Sequence, residues 1–142
     1  MPHARFPYGI ITTFSHLAQK EKVIWQRFMA RNHEWAELVD YDICCGTKDR
    51  VPAGTRVETE EDWSYLRSWK IDVLAIKGGI HFVIEVRPSA DLGAIGGILN
   101  KAIMYQREHP GLPEVEPVLI TDLERPDMRA LCAEHDIGYV VI

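Results

Sequence analysis

The sequence predicts an α/β domain in which helices cover a mixed central sheet. Three observations lead there. Two β-rich runs, 71–76 and 80–87, flank Lys77-Gly78-Gly79, and Gly-Gly between such runs is a strong hairpin signal. Further along, apolar strands alternate with helical patterns, which favours parallel crossovers. The chain's 142 residues, 46% hydrophobic and 26% charged, have the balance of an ordinary globule. A chain of that length buries roughly 68–70% of its unfolded surface and needs no metal or disulfide staple.

The elements follow in the order αβββαβαβ, as one domain over residues 1–142. Residues 1–14 read as an irregular arm. Ser15 is the expected N-cap of a helix running to about Arg31, with Leu17, Ile24, Trp25 and Phe28 at helical spacing. Glu21 falls on or beside that core-facing stripe. Glu37 to Cys45 alternates as a strand through Val39, Tyr41, Ile43 and Cys45. Residues 46–62, with Gly46, Pro52, Gly54 and the acidic stretch Glu58–Asp62, read as a solvated loop. In the next stretch Trp63, Tyr65, Arg67 and Trp69 share one parity. They suit either packing at a strand entry or a groove lip on which bases stack.

The hairpin comes next, then a helix from Leu92 to His109, opened by Gly93, Gly96 and Gly97 and stopped by Pro110-Gly111. Val118–Thr121 is a short buried strand. Pro126 starts a helix with Met128, Leu131, Cys132 and His135 on one side, and Gly138 is expected to end it. Tyr139–Ile142 is the last strand.

The net charge of −5 argues against a protein that wraps duplex by bulk positive charge. No apolar run approaches the ~20 residues of a membrane span, so no membrane partner is expected. The N-terminal stretch has no long apolar region of a secretory signal. Cys44, Cys45 and Cys132 make no disulfide framework. They read as small buried apolar residues in a reducing cytoplasm.

The hairpin fixes a register. With Gly78 and Gly79 as turn residues, Lys77 pairs with Ile80, Asp72 falls opposite Glu85, and Lys70 opposite Arg87. Period two puts Asp72, Leu74, Ile76, His81, Val83, Glu85 and Arg87 on one face. Ile71, Val73, Ala75, Phe82, Ile84 and Val86 fall on the other, wholly apolar face. Two carboxylates side by side destabilise a sheet unless something offsets them. A divalent cation does so, since Mg²⁺ takes a few carboxylate oxygens and keeps several waters. A surface salt-bridge lattice with Lys70 and Arg87 is the alternative, and for two acids in an arbitrary hairpin it is the ordinary one.

Asp72, then Glu85-Val86-Arg87, then a helix: this order resembles the PD-(D/E)XK nuclease superfamily, with Asp72 as its first acid and Glu85 as its second. The resemblance runs from about Ser15 to Ile142. The stretch Glu85-Val-Arg-Pro-Ser-Ala-Asp-Leu-Gly-Ala-Ile-Gly-Gly-Ile-Leu is similar to a branch of phage and bacterial proteins that often reads E-V-K-P followed by L-G-A-L-G-Q-L. That branch tends to carry an acid four residues before a Trp in the first helix, as Glu21 and Trp25 do here. There are three departures. Arg87 stands where the family has Lys, and Arg does not lose its proton at ordinary pH. Gly97 stands where Gln is common, and Lys101 where related nucleases often show Tyr. Positions 97 and 101 share a helix face, so Lys101 either points at the acids and takes over the missing role or is an ordinary exposed residue.

The resemblance implies a restriction-endonuclease-like core and Mg²⁺- or Mn²⁺-dependent hydrolysis of a DNA phosphodiester. Asp72, Glu85 and the Val86 carbonyl would hold the metal, with Glu21 assisting through water. Arg87 or Lys101 would orient the attacking water and offset transition-state charge. It also implies a phage or mobile-element protein in a bacterial cytoplasm or a virion. The competing reading is a catalytically degenerate nuclease-fold protein that is a structural or DNA-binding component of a virion or DNA-processing assembly. A third is a homodimer or larger assembly whose basic groove forms only on association. Other signals are discounted. Gly93, Gly96 and Gly97 fit no phosphate-loop pattern and are ascribed to close helix–sheet packing. The six histidines show no zinc spacing, and His81 is placed at the rim.

Overall fold

The computed structural model describes residues 6–9, 17–46 and 69–142. Ser15, the acidic stretch 58–62 and the aromatic positions 63 and 65 lie outside them. The elements are β1 (Phe6–Pro7), α1 (Gln19–Arg31), β2 (Leu38–Cys45), β3 (Trp69–Lys77), β4 (Ile80–Val86), α2 (Leu92–Glu108), β5 (Val115–Thr121), α3 (Pro126–Glu134) and β6 (Gly138–Val141). They form one six-stranded sheet in sequential order. The first four strands are antiparallel, and β4, β5 and β6 run parallel through the crossovers of α2 and α3. The α/β class and the mixed sheet are those the sequence predicts.

The sheet is covered on both faces. Ile24, Trp25, Phe28 and Met29 of α1 pack with Val39, Tyr41, Val73, Ala75, Ile84, Val86 and Ile120. Opposite, Ala94, Ile95, Ile98, Ala102 and Tyr105 of α2 and Met128 and Cys132 of α3 pack with Leu74, Val83 and Leu119. A stripe wide enough to bury one helix face accounts for each packing surface. The indole N–H of Trp25 donates to the Tyr41 hydroxyl at 3.0 Å, so the one polar atom of this fully buried side chain is satisfied.

The hairpin forms as its turn chemistry dictates. Gly78 and Gly79 have φ of 56° and 78°, and such a turn needs positive φ at both positions. Lys77 pairs with Ile80, and the register holds as far as Val73↔Ile84. There the ladder ends, so Asp72 and Glu85 are not paired residues of it, and neither are Lys70 and Arg87. β3 continues alongside β2 to Trp69↔Cys45, while β4 continues alongside β5 to Val86↔Ile120. The sheet therefore forks between β3 and β4.

The face assignment changes at the same level. Ile71, expected beside Val73, lies in the opposite core with Cys45 and Ile43. The cause is Asp42, at φ 56° in the middle of β2. The β2–β3 ladder skips the Asp42–Asp72 position and resumes in the same register. Beyond it the inward-facing side chains point to the α2 side.

Several local expectations are corrected. The arm contributes β1, which adds Phe6 and Pro7 to the edge of the sheet at Val39 and Leu38. Two residues carry no periodicity, and proline suits an edge. α1 starts at Gln19 after Ala18. β5 begins at Val115, ahead of Pro117, because β6 joins only from Val118 and leaves that end of β5 with a free side. α3 closes at His135 with Asp136 at φ 55°, and Gly138 opens β6. His81 is 5% exposed, not at the rim, with Nδ1 2.7 Å from the Tyr105 hydroxyl. Cys44 is exposed, while Cys45 and Cys132 are buried. No helix among the described residues is long and apolar enough to cross a membrane.

Packing does not explain Gly96 and Gly97. A Cβ at either would meet nothing within 4 Å. Two glycines inside a helix each cost about 0.5–1 kcal/mol relative to alanine, and here no close approach offsets it.

Two outcomes follow. Gly96→Ala and Gly97→Ala each raise stability by about 0.5–1 kcal/mol in urea unfolding. Asp42→Gly and Asp42→Val lose the same side chain, but valine resists positive φ. Asp42→Val is therefore less stable than Asp42→Gly by about 1–2 kcal/mol, read from the same curves.

Candidate active site

The fork brings together five of the residues singled out in the sequence, the charged Asp72, Glu85, Arg87 and Lys101 and the Val86 backbone. At its apex the Val86 N–H leaves the ladder and donates to Asp72 Oδ2 at 3.0 Å. Asp72 thus sits in the gap between the strands, tied to β4 by its side chain. Its Oδ1 has no hydrogen-bond partner among the described residues. Glu85, one position before Val86, is 2% exposed and both its oxygens are held. Oε1 accepts from Arg87 Nη2 at 2.6 Å, and Oε2 accepts from Lys101 Nζ at 2.9 Å.

Lys101 comes from the middle of α2, 16 residues along the chain from Glu85. Its side chain is 14% exposed and points at Glu85, so it is not an ordinary exposed residue. Its ammonium has three donors, and Glu85 takes one. Arg87 is about half exposed, and its bond to Glu85 holds its guanidinium still more firmly charged. The offsetting cations of Glu85 are therefore Arg87 and Lys101, not Lys70.

Glu21 stands apart. Its Oε2 accepts the Ala18 N–H at 2.7 Å and so closes the first turn of α1. Its charge reaches the cluster, raising both Asp72 and Arg87, but it bonds to neither. Among the described residues no three His, Cys, Asp or Glu side chains come close enough to make a metal cage. Asp72 and Glu85 are the two carboxylates of the cluster, and an ion such as Mg²⁺ is commonly bound through one or two carboxylates and its own waters.

Burial, then the charge of Glu85 beside it, push the Asp72 carboxyl from 3.8 up to about 7, against the pull of the Val86 N–H and Lys101. With Asp72 ionised the four groups carry no net charge. With Asp72 protonated they carry one positive charge.

Other residues hold the site without a sequence signal. Ser89, at φ 46°, donates its N–H to Asp122 Oδ1 at 2.8 Å, and the Ala90 N–H donates to Thr121 Oγ1 at 3.1 Å. These bonds pin the turn after Arg87 to the end of β5. Their partners are more than 30 residues away, so no local pattern marks them.

The raised Asp72 pKa has a sign for stability. The folded state holds the proton to higher pH than the unfolded chain. The contribution is therefore fully present below about pH 4 and lost as pH rises through about 7. Asp72→Asn keeps an acceptor for the Val86 N–H and does not ionise. We expect it to exceed the parent in stability by on the order of a few kcal/mol at about pH 8 and to match it at about pH 4, by urea unfolding at each pH.

No protein-family model, no curated protein and no solved structure matches this chain.

Proposed function

We propose that this protein hydrolyses DNA phosphodiesters with a divalent cation, on a restriction-endonuclease-like core of the PD-(D/E)XK kind. The observation that carries this reading is the convergence of Asp72, Glu85 and Lys101 at the fork, from two strands and a separate helix. Asp72, Glu85 and the Val86 carbonyl would hold the cation. Mg²⁺ or Mn²⁺ bound there would supply Lewis-acid polarisation of the phosphate and a more acidic water.

The remaining roles belong to the chain itself. Asp72 offers an oxygen without a hydrogen-bond partner among the described residues, on an anchored side chain, so little ordering is needed at the moment of binding. Lys101, fixed by Glu85, has two donors left to orient the attacking water and meet a non-bridging phosphate oxygen. Arg87, always protonated, offsets charge and does not shuttle a proton. The local charge, zero or positive, admits a phosphate where bare carboxylates would repel it.

A second reading is favoured by one feature. Both oxygens of Glu85 are occupied by cations. A cluster already neutralised suits a silent nuclease-fold protein that serves as a structural or DNA-binding component of a virion or DNA-processing assembly.

Plasmid nicking and Mn²⁺ titration calorimetry separate the two. The wild type should bind metal and nick in Mg²⁺ or Mn²⁺ but not in EDTA. Glu85→Gln and Lys101→Met should lose about a hundredfold or more in rate. Asp72→Ala/Glu85→Ala should lose both metal binding and nicking. A wild type that neither binds metal nor nicks establishes the second reading instead.

A further inference from the structure

A groove of about 430 Å³ opens beside the carboxylate cluster, between Trp69 at the start of β3 and α2. Lys101 belongs to both: it lines the groove and bonds Glu85. Trp69 is 64% exposed, the most exposed of the described tryptophans. An indole left in water beside a charged site is not core packing. Arg107, exposed in the last turn of α2, lines the same groove and makes no ion pair among the described residues. Asn100 donates its side-chain N–H to Gly96 O at 2.9 Å, which leaves its carbonyl oxygen available. Gly96, Gly97, Ile103 and Met104 complete the lining, and open space lies where the glycine side chains would be. The presence of the two glycines in mid-helix has no packing reason; keeping the groove open gives them one.

An aromatic face, an exposed guanidinium and an amide in one open groove match a nucleotide. The base stacks on the indole, the phosphate meets Arg107, and Asn100 reads a polar edge. A base inside a duplex has no face to offer. Trp69 lies three residues before Asp72 on β3, roughly 10 Å along the strand. A base held there keeps its strand within reach of the carboxylates.

We propose that the groove between Trp69 and α2 binds an unpaired nucleotide of a nucleic-acid strand, so that the substrate is single-stranded or locally opened at the site. The proposal rests on the phosphodiesterase reading and names its substrate class.

The test is fluorescence anisotropy of a labelled oligothymidylate about a dozen nucleotides long. It is run in EDTA so that no cleavage intervenes, beside the matching duplex and an abasic strand of equal length. The wild type should prefer the oligothymidylate to both by about tenfold or more. Trp69→Ala should lose that preference and Trp69→Phe should keep most of it, since both change an exposed side chain. Arg107→Ala should weaken all three and lower the salt dependence by about one phosphate. Gly97→Leu should weaken oligothymidylate binding while raising Tm, a combination that damage to the fold does not produce. Equal binding of duplex and single strand, or an affinity indifferent to Trp69, overturns the proposal. Metal-dependent nicking alongside that result would leave the phosphodiesterase standing. Binding that depends on Trp69 in a chain that, with Mg²⁺ or Mn²⁺, cleaves neither plasmid nor the oligothymidylate supports the groove and overturns the phosphodiesterase.

Discussion

The Val86 N–H donates to the carboxylate of Asp72 instead of to a carbonyl of β3, and much of the molecule is arranged around that substitution. A buried backbone donor must be paired, so once the strands part, some acceptor must replace the lost carbonyl. Asp72 supplies it from within the gap. β4 is then free to follow β5, and β3 to follow β2. The opening is held from both sides, because each departing strand keeps a full partner on its outer edge.

Two acids beside one another are accommodated by protonating one of them or by bringing cations to them. Both responses are visible. Asp72 is pushed toward neutrality, and Glu85 is fixed by Arg87 and Lys101. The second cation comes from α2, whose position is set by the core beneath it through Ala94, Ile98, Ala102 and Tyr105. The apolar face of the helix thus determines where a polar side chain ends up. Removing either cation would leave a buried carboxylate half compensated, the costly condition for an ion pair away from water.

Two of the four non-glycine residues at positive φ among the described residues stand at the same level. Asp42 stands at positive φ opposite Asp72, and Ser89 stands at positive φ just beyond Arg87. Strained residues persist where the surrounding structure over-determines them. Here the β2–β3 ladder resumes on both sides of Asp42, and Asp122 and Thr121 hold the turn around Ser89. The two open glycines of α2 belong with this group as a local departure that the core does not require.

The sequence by itself determined what depends on neighbours along the chain. The Gly78-Gly79 turn set the hairpin register, because positive φ at two adjacent positions leaves one closing pair. Periodicity located α1, α2 and α3 to within a few residues, and the strand–helix alternation implied the parallel half of the sheet. The same register brought Asp72 and Glu85 to one level. Only the tertiary structure decided that they face each other across a fork, since the ladder stops one pair short of them. It also decided that Ile71 turns to the α2 side, that His81 is buried on Tyr105, and that Lys101 points inward to Glu85. Each of these rests on a contact between residues distant in sequence or on a single backbone angle at Asp42. Period-two reasoning assumes an unbroken pleat, so it fails from the residue at which the pleat breaks.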